Sequence, residues 1–350
     1  MQSRGTPKPG ARVKGSTMGD FEIGGFRVAA GSRATVNLVV STLANASPMN
    51  LPVHVIHGTE AGPTLFISGV VHGDEILGLE IIRRVLAQEA LKTLRGTLLG
   101  IPIVNGFGFL NHSRYMPDRR DLNRSFPGSD QGSLASLLAD LFFREIVERC
   151  QYGIDFHTAA LHRTNLPQIR IAPKDDGLMA LAKAFAPPVI LTSKLRDGSL
   201  RQSAKEAGVQ VMLYEGGEAL RFDEVAIDAG VKGCLRVMKA IGMIDVAPPV
   251  LAHATTVLSS SSGWTRSPEG GILHSVRQVG DKVGRQEPIG IITDPLGDVT
   301  VPVFADDDGI IIGRTNLPIV NRGDALFHIA QISTGKRGPV LAVPDEDEII

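Results

Sequence analysis

Only two cysteines, Cys150 and Cys234, occur in 350 residues. Two thiols cannot form a disulfide framework or a cysteine-rich zinc cage, so a reducing cytoplasm is the expected home. Net charge is also nearly absent. Against 37 Asp and Glu stand 36 Lys and Arg, leaving −1, and this removes the bulk electrostatic case for a nucleic-acid partner. No uninterrupted apolar run approaches the roughly 18–20 residues of a membrane helix, so no membrane partner is expected. The first twenty residues are basic and turn-rich without an apolar segment. They do not read as a secretory signal, and with residues 333–350 they are taken as loose tails. Chain-turning residues, in contrast, are plentiful: 39 Gly and 21 Pro predict many tight turns and more strands than long helices. With 43% hydrophobic and 21% charged residues, the composition is that of an ordinary globular chain. It is long enough for one large domain or two medium ones.

Short alternating segments between Gly25 and Leu51 predict strands, and LPVHVIHG continues them. TLFISGVV is apolar and β-branched, as expected of a strand buried on both faces. It breaks at HGDE, and the following segment carries Ile76, Leu79, Ile82 and Leu86 at helical spacing. GTLLGIPIVN, YGIDFHTA and QVMLYEGG read as further strands. SLASLLADLFFREIVERC and DGLMALAKAFA read as helices, and AIDAGVKGCLRVMKAIGMI as a helix broken near Gly233. This alternation predicts an α/β fold, a mostly parallel mixed sheet flanked by helices, with functional residues at the carboxyl ends of strands. Around residue 250 the segment APPVLAHATTVLSSSSG reads as a linker. From Trp264 to Ile332 short strands alternate with turns and no helix is expected. The division is thus 21–250 for the α/β domain and 251–332 for a smaller all-β domain.

The sharpest chemical feature is His72-Gly73-Asp74-Glu75, a strand-end histidine with a glutamate in the first helical turn. A bland explanation exists, because acidic residues favour helix N-termini in any case. His157, at the end of a second strand, changes the balance. His72, Glu75 and His157 make a two-histidine, one-carboxylate set suited to Zn²⁺, with a fourth position left open. Four arginines, Arg114, Arg119, Arg120 and Arg124, lie within eleven residues of one long loop. Guanidinium forks bind carboxylates and stabilise oxyanions, although Arg119 and Arg120 read better as solvated partners of Asp118 and Asp121. Glu215 ends the last buried strand before two glycines and could reach the same cleft as a general base. Glu218 is expected at the surface.

The segments GVVHGDE, RYMPDRRDLNRSFPG, DFHTA and YEGGE, in that order from about Leu51 to Ile244, resemble the succinylglutamate desuccinylase/aspartoacylase family. These proteins are relatives of the zinc carboxypeptidases. The resemblance implies that His72, Glu75 and His157 hold one zinc ion and that Glu215 is general base and acid. It implies further that Arg114 polarises the scissile carbonyl and that Asn123 and Arg124 grip the substrate carboxylate. Asp121 would orient a zinc histidine. His162, Arg163, Asn165 and Arg170, in HRTNLPQIR, would shape the acyl pocket, though packing explains them about as well. Residues beyond Gly270 resemble a biotinyl/lipoyl-type β barrel. Arg314 to Pro318 replace the lysine-bearing hairpin of carrier domains, so the barrel reads as a cap that borders the cleft or supports a homo-oligomer. The implied activity is zinc-dependent hydrolysis of the amide in a small N-acyl amino acid. A zinc carboxypeptidase acting on short peptides, or a binding protein with a vestigial site, are the alternatives.

Overall fold

The computed structural model describes residues 18–250 and 255–332; of the tails expected at 1–20 and 333–350, residues 1–17 and 333–350 lie outside them. Ser32–Thr42 and Pro48–His57 alternate exposed and buried positions, the signature of half-covered strands, and they pair antiparallel. The second of them pairs with Arg95–Ile101. Beyond it the sheet is parallel, running through Glu60–Gly69, Tyr152–Ala159 and Gln210–Glu218. These strands are covered on both sides because their alternate residues enter two separate cores. Leu65, Ile67, Ile154, Phe156, Met212 and Tyr214 pack with the helices Leu77–Leu86, Asp176–Phe185 and Glu224–Ala240. Phe66, Leu99 and Val211 face the opposite layer, with Leu134–Glu145 and Leu200–Glu206. Each fully buried Leu, Ile or Phe contributes about 1.5–3 kcal/mol, so the two layers dominate helix placement. Caps fix where the helices start: Ser133, Asp175, Ser199 and Asp223 each accept a first-turn backbone N–H. Among the described residues no helix is long and apolar enough to cross a membrane. The expected architecture, a mixed sheet flanked by helices, is the observed one.

Three local expectations are corrected. Glu224–Ala240 is one continuous helix, unbroken at Gly233. A Cβ there would lie 2.2 Å from the Phe185 ring, so the glycine makes room for a neighbour rather than ending a helix. The presumed linker contains Val257–Ser259, a strand parallel to Val189–Thr192. Arg314 and Thr315 do not sit at a free hairpin tip. They pair with Thr164 and Arg163, while Asn316 Nδ2 donates to Glu218 at 2.9 Å.

That pairing carries the central sheet into the C-terminal region. Arg163–Ile171 lies antiparallel to Gln210–Glu218 and to Gly309–Thr315, which pairs with Ala325–Gln331, which in turn pairs with Ser262–Arg266. A separate four-stranded antiparallel sheet, Gly271–Ser275, Pro288–Thr293, Thr300–Phe304 and Ile319–Val320, closes over Leu273, Ile289, Ile292 and Phe327. No helix occurs among the described residues after 255.

Candidate metal centre and cleft

The strand Glu60–Gly69 delivers the first ligand through a forced turn. Val70, fully buried, adopts φ +56°, a left-handed conformation that a β-branched residue holds only under strain. The following loop packs tightly, since a Cβ on Gly73 would lie 2.0 Å from the backbone of Gly108. His72 and Glu75 thereby point back over the sheet. His157 arrives from Tyr152–Ala159 on the same face as Asp155, two residues earlier.

The Glu75 carboxylate lies between the two imidazoles, Oε1 2.6 Å from His72 Nδ1 and Oε2 2.7 Å from His157 Nδ1. All three side chains are buried, and one ligand atom from each falls within 4.8 Å of the others. The outer ring nitrogens are held as well: His72 Nε2 is 3.2 Å from Asp121 Oδ1, and His157 Nε2 is 2.7 Å from Asp155 Oδ2. Ser68 Oγ donates to the other Asp155 oxygen at 2.7 Å. A carboxylate accepting Nε2–H fixes the tautomer in which the Nδ1 lone pair faces inward, the usual arrangement behind a metal-binding histidine. The donor set fits a divalent ion of the zinc type.

Electrostatics follow from this crowding. Burial alone would depress both imidazoles, but the facing carboxylates outweigh it. Glu75 and Asp121 raise His72, and Asp155 and Glu75 raise His157 well above the ordinary value. Burial likewise opposes ionisation of Glu75 and Asp121. The imidazoles beside Glu75 nevertheless hold it well below the usual range, and His72 with Arg114 holds Asp121 below it too.

The loop residues Arg114, Asn123 and Arg124 line the same cleft. Arg114 Nη1 is 3.2 Å from Glu75 Oε1, and its Nε and Nη2 donate to Asp121 Oδ2 at 3.2 and 3.0 Å. Asp121 Oδ1 also accepts Asn123 N–H at 2.7 Å. Asn123 is buried, and its Oδ1 accepts Leu200 N–H at 2.9 Å, which docks the helix Leu200–Glu206. Arg124 lines the cleft beside it. Arg119 and Arg120 are exposed, as expected. Glu218 is only partly exposed and accepts His162 N–H at 3.0 Å.

Glu215 lies opposite His157 in the parallel ladder, where a register shift interrupts the pairing. Such irregularities commonly re-aim a side chain next to an active site. Its Oε2 accepts Asn165 Nδ2 at 3.0 Å, and Oε1 is 3.9 Å from Arg170 Nη1. The cavity there, about 110 Å³, is lined by all three ligand residues, Arg114, Asn123, Arg124 and Glu215. Several further residues line the cleft. Asp155 was legible, because an Asp-x-His pair on a strand puts both side chains on one face. Arg196 and Arg201 come from a segment with no recognisable pattern. Burial first, and then Arg170, push Arg201 down to about 10. Trp264 and His328, stacked at 4.8 Å, reach the cleft from the C-terminal strands, with the Arg163 guanidinium 5.1 Å from the Trp264 ring.

A helix-flanked mixed sheet with this buried centre at its strand ends defines a metal-dependent hydrolase class. Residues 61–241 match the succinylglutamate desuccinylase/aspartoacylase catalytic domain, and the chain belongs to that family. It is therefore a member of a deacylase family with the His-Glu-His site present. An N-alpha-acetyl-L-2,4-diaminobutyric acid deacetylase of Halomonas elongata is 26% identical over 296 residues, 81% of this chain and 86% of that protein. Two solved structures share the fold. A succinylglutamate desuccinylase/aspartoacylase from Rhodobacter sphaeroides has a TM-score of 0.76 at 23% identity, covering 86% of this chain and 96% of its own. The product-bound ectoine utilization protein EutE (DoeB) from Ruegeria pomeroyi has a TM-score of 0.75 at 22% identity, covering 86% and 95%.

Proposed function

We propose that this chain is a zinc-dependent amidohydrolase that cleaves the amide of a small N-acyl amino acid. The observation that carries the reading is the convergence of the Glu75 carboxylate and two inward-facing Nδ1 atoms on one point beside a cleft rich in arginine. His72, Glu75 and His157 hold the ion in this proposal. The chemistry zinc supplies is Lewis acidity, which polarises a carbonyl and acidifies water. The remaining work falls to the chain. Glu215 takes a proton from the attacking water and returns it to the leaving amine, acting first as base and then as acid. Arg114, fixed on Glu75 and Asp121, adds positive charge near the developing oxyanion. Arg170 Nε and Arg201 Nη1 are buried without a protein partner. A substrate carboxylate would satisfy both, together with Arg124, through charge-assisted hydrogen bonds. Asn123 supports this grip by anchoring the helix that carries Arg201. A reducing cytoplasm is the proposed location, in keeping with two buried free cysteines.

The test is a screen of the zinc-reconstituted protein against acetyl, succinyl and aspartyl-type amides of amino acids, with short peptides as a second arm and amine release as the readout. Turnover of the N-acyl amino acids is expected. Removal of C-terminal residues from peptides instead would replace the proposal with a carboxypeptidase. Failure to retain stoichiometric zinc would leave only a binding protein. Glu215→Gln is expected to keep the metal and lose about 10²–10⁴-fold in turnover; full activity in that variant removes Glu215 from the mechanism.

A further inference from the structure

Asn165 is a cleft residue that the proposal above leaves unused, and its surroundings are specific. Its Nδ2 donates to Glu215 Oε2 at 3.0 Å. In the sheet it is the registered partner of Gly217 on one side and of Gly313 on the other. Gly313 is in turn the partner of His328. Directly opposed residues project to the same face, so Asn165 and His328 flank a position that carries no side chain. A Cβ on Gly313 would come within 2.7 Å of Asn165 Oδ1 and 3.4 Å of His328 Cβ. The carboxamide therefore lies across Gly313, and the absence of a side chain there is what lets its NH₂ end reach Glu215. Gly313 has no left-handed φ, so nothing in its own backbone demands glycine.

We infer that Asn165 is a positioning residue for Glu215, and that Gly313, supplied by the C-terminal strands, is the seat that holds it in place. The inference rests on the reading of Glu215 as the proton carrier. By holding Oε2, Asn165 restrains the rotation of the carboxylate and so aims it for proton transfer. A carboxylate aimed in advance by a fixed donor needs less reorientation at the moment of proton transfer. The C-terminal region thus takes part in catalysis through one glycine, beyond walling the cleft.

The experiment is a double-mutant cycle on the zinc-loaded full chain, using the best-cleaved member of the N-acyl panel. Asn165→Asp keeps the shape, removes the N–H donor and sets a like charge against Glu215, and Gly313→Ala pushes the carboxamide aside. Losing a hydrogen bond to a charged group corresponds to about 10- to 100-fold, so each variant should lose that much kcat with KM changed less than about twofold. In an Asn165→Ala background Gly313→Ala should cost nothing further, because its effect travels through Asn165. Wild-type kcat in Asn165→Asp, or additive losses in the cycle, would overturn the inference. Glu215→Gln separates the two levels. If it retains turnover, the proton-carrier reading fails. If it is inactive while Asn165→Asp and Gly313→Ala remain fully active, only the positioning inference fails.

Discussion

Glu75 shows how the fold treats a charge that burial alone would neutralise. An isolated buried carboxylate is costly, but here two imidazoles, Arg114 and the Thr158 backbone N–H all face it. The raised basicity of His72 and His157 has a definite consequence. Protons and the metal ion compete for the same Nδ1 lone pairs, and these imidazoles keep their protons to higher pH than a free histidine does. Zinc affinity should therefore fall as pH is lowered from the alkaline side, already above the ordinary histidine value. In the metal-free protein the sign is opposite. Stabilisation from the protonated pair is fully present below the unfolded value and fades as pH rises through the folded one. Competition with a chelating dye between about pH 6 and 8.5 measures the affinity, and a flat profile would contradict the argument. Asp155→Asn should weaken zinc binding by about 10- to 100-fold in the same assay, because the carboxylate behind His157 sets its tautomer.

At the scale of elements, the helix Glu224–Ala240 separates two meanings of glycine. Replacing a helical glycine with alanine gains about 1 kcal/mol of propensity, while overpacking a core costs about 1–3 kcal/mol. A Cβ at Gly233 would meet the buried Phe185 ring at 2.2 Å, whereas at Gly230 it would meet the end of Ile81, Cδ1 at 2.4 Å. A methyl at the end of a flexible side chain can swing away; a ring packed against Tyr214 cannot do so easily. Gly233→Ala is therefore expected to lower stability by about 1–2 kcal/mol and Gly230→Ala to be close to neutral, as read from denaturant midpoints. Comparable losses at both positions would show that ring placement is not the deciding factor.

For the whole molecule, the continuous sheet decides what can be removed. The strands Gly309–Thr315, Ala325–Gln331 and Ser262–Arg266 extend the sheet beyond Arg163–Ile171. Val189–Thr192 leans on Val257–Ser259. Deleting everything after residue 250 would strip these partners from Arg163–Ile171 and Val189–Thr192 and expose buried apolar edges, including Ile190 and Leu191, a state prone to aggregation. We expect the truncated chain to be insoluble or to melt far below the full protein; a soluble, active fragment would contradict this.

Much of this was readable from the chain alone. Apolar runs ending in HGDE, DFHTA and YEGGE gave the parallel strands and the ends at which His72, Glu75, His157 and Glu215 stand, because strand periodicity and ligand chemistry are both local properties. Asp155 was not singled out, although the same alternation places it on the face of His157. What the chain could not reveal depends on partners distant in sequence. Gly233 reads as a break until Phe185 is seen against it, and Val257–Ser259 reads as a linker until its parallel neighbour is known. Arg201 and Trp264 have no local signal at all, and Asn165 stood out only through the segment HRTNLPQIR, with no pointer to Glu215. They become part of the cleft only when segments distant in sequence meet, Arg163–Ile171 by pairing with Gly309–Thr315 and the helix of Arg201 by docking on Asn123, since side chains meet through tertiary packing and not through spacing along the chain.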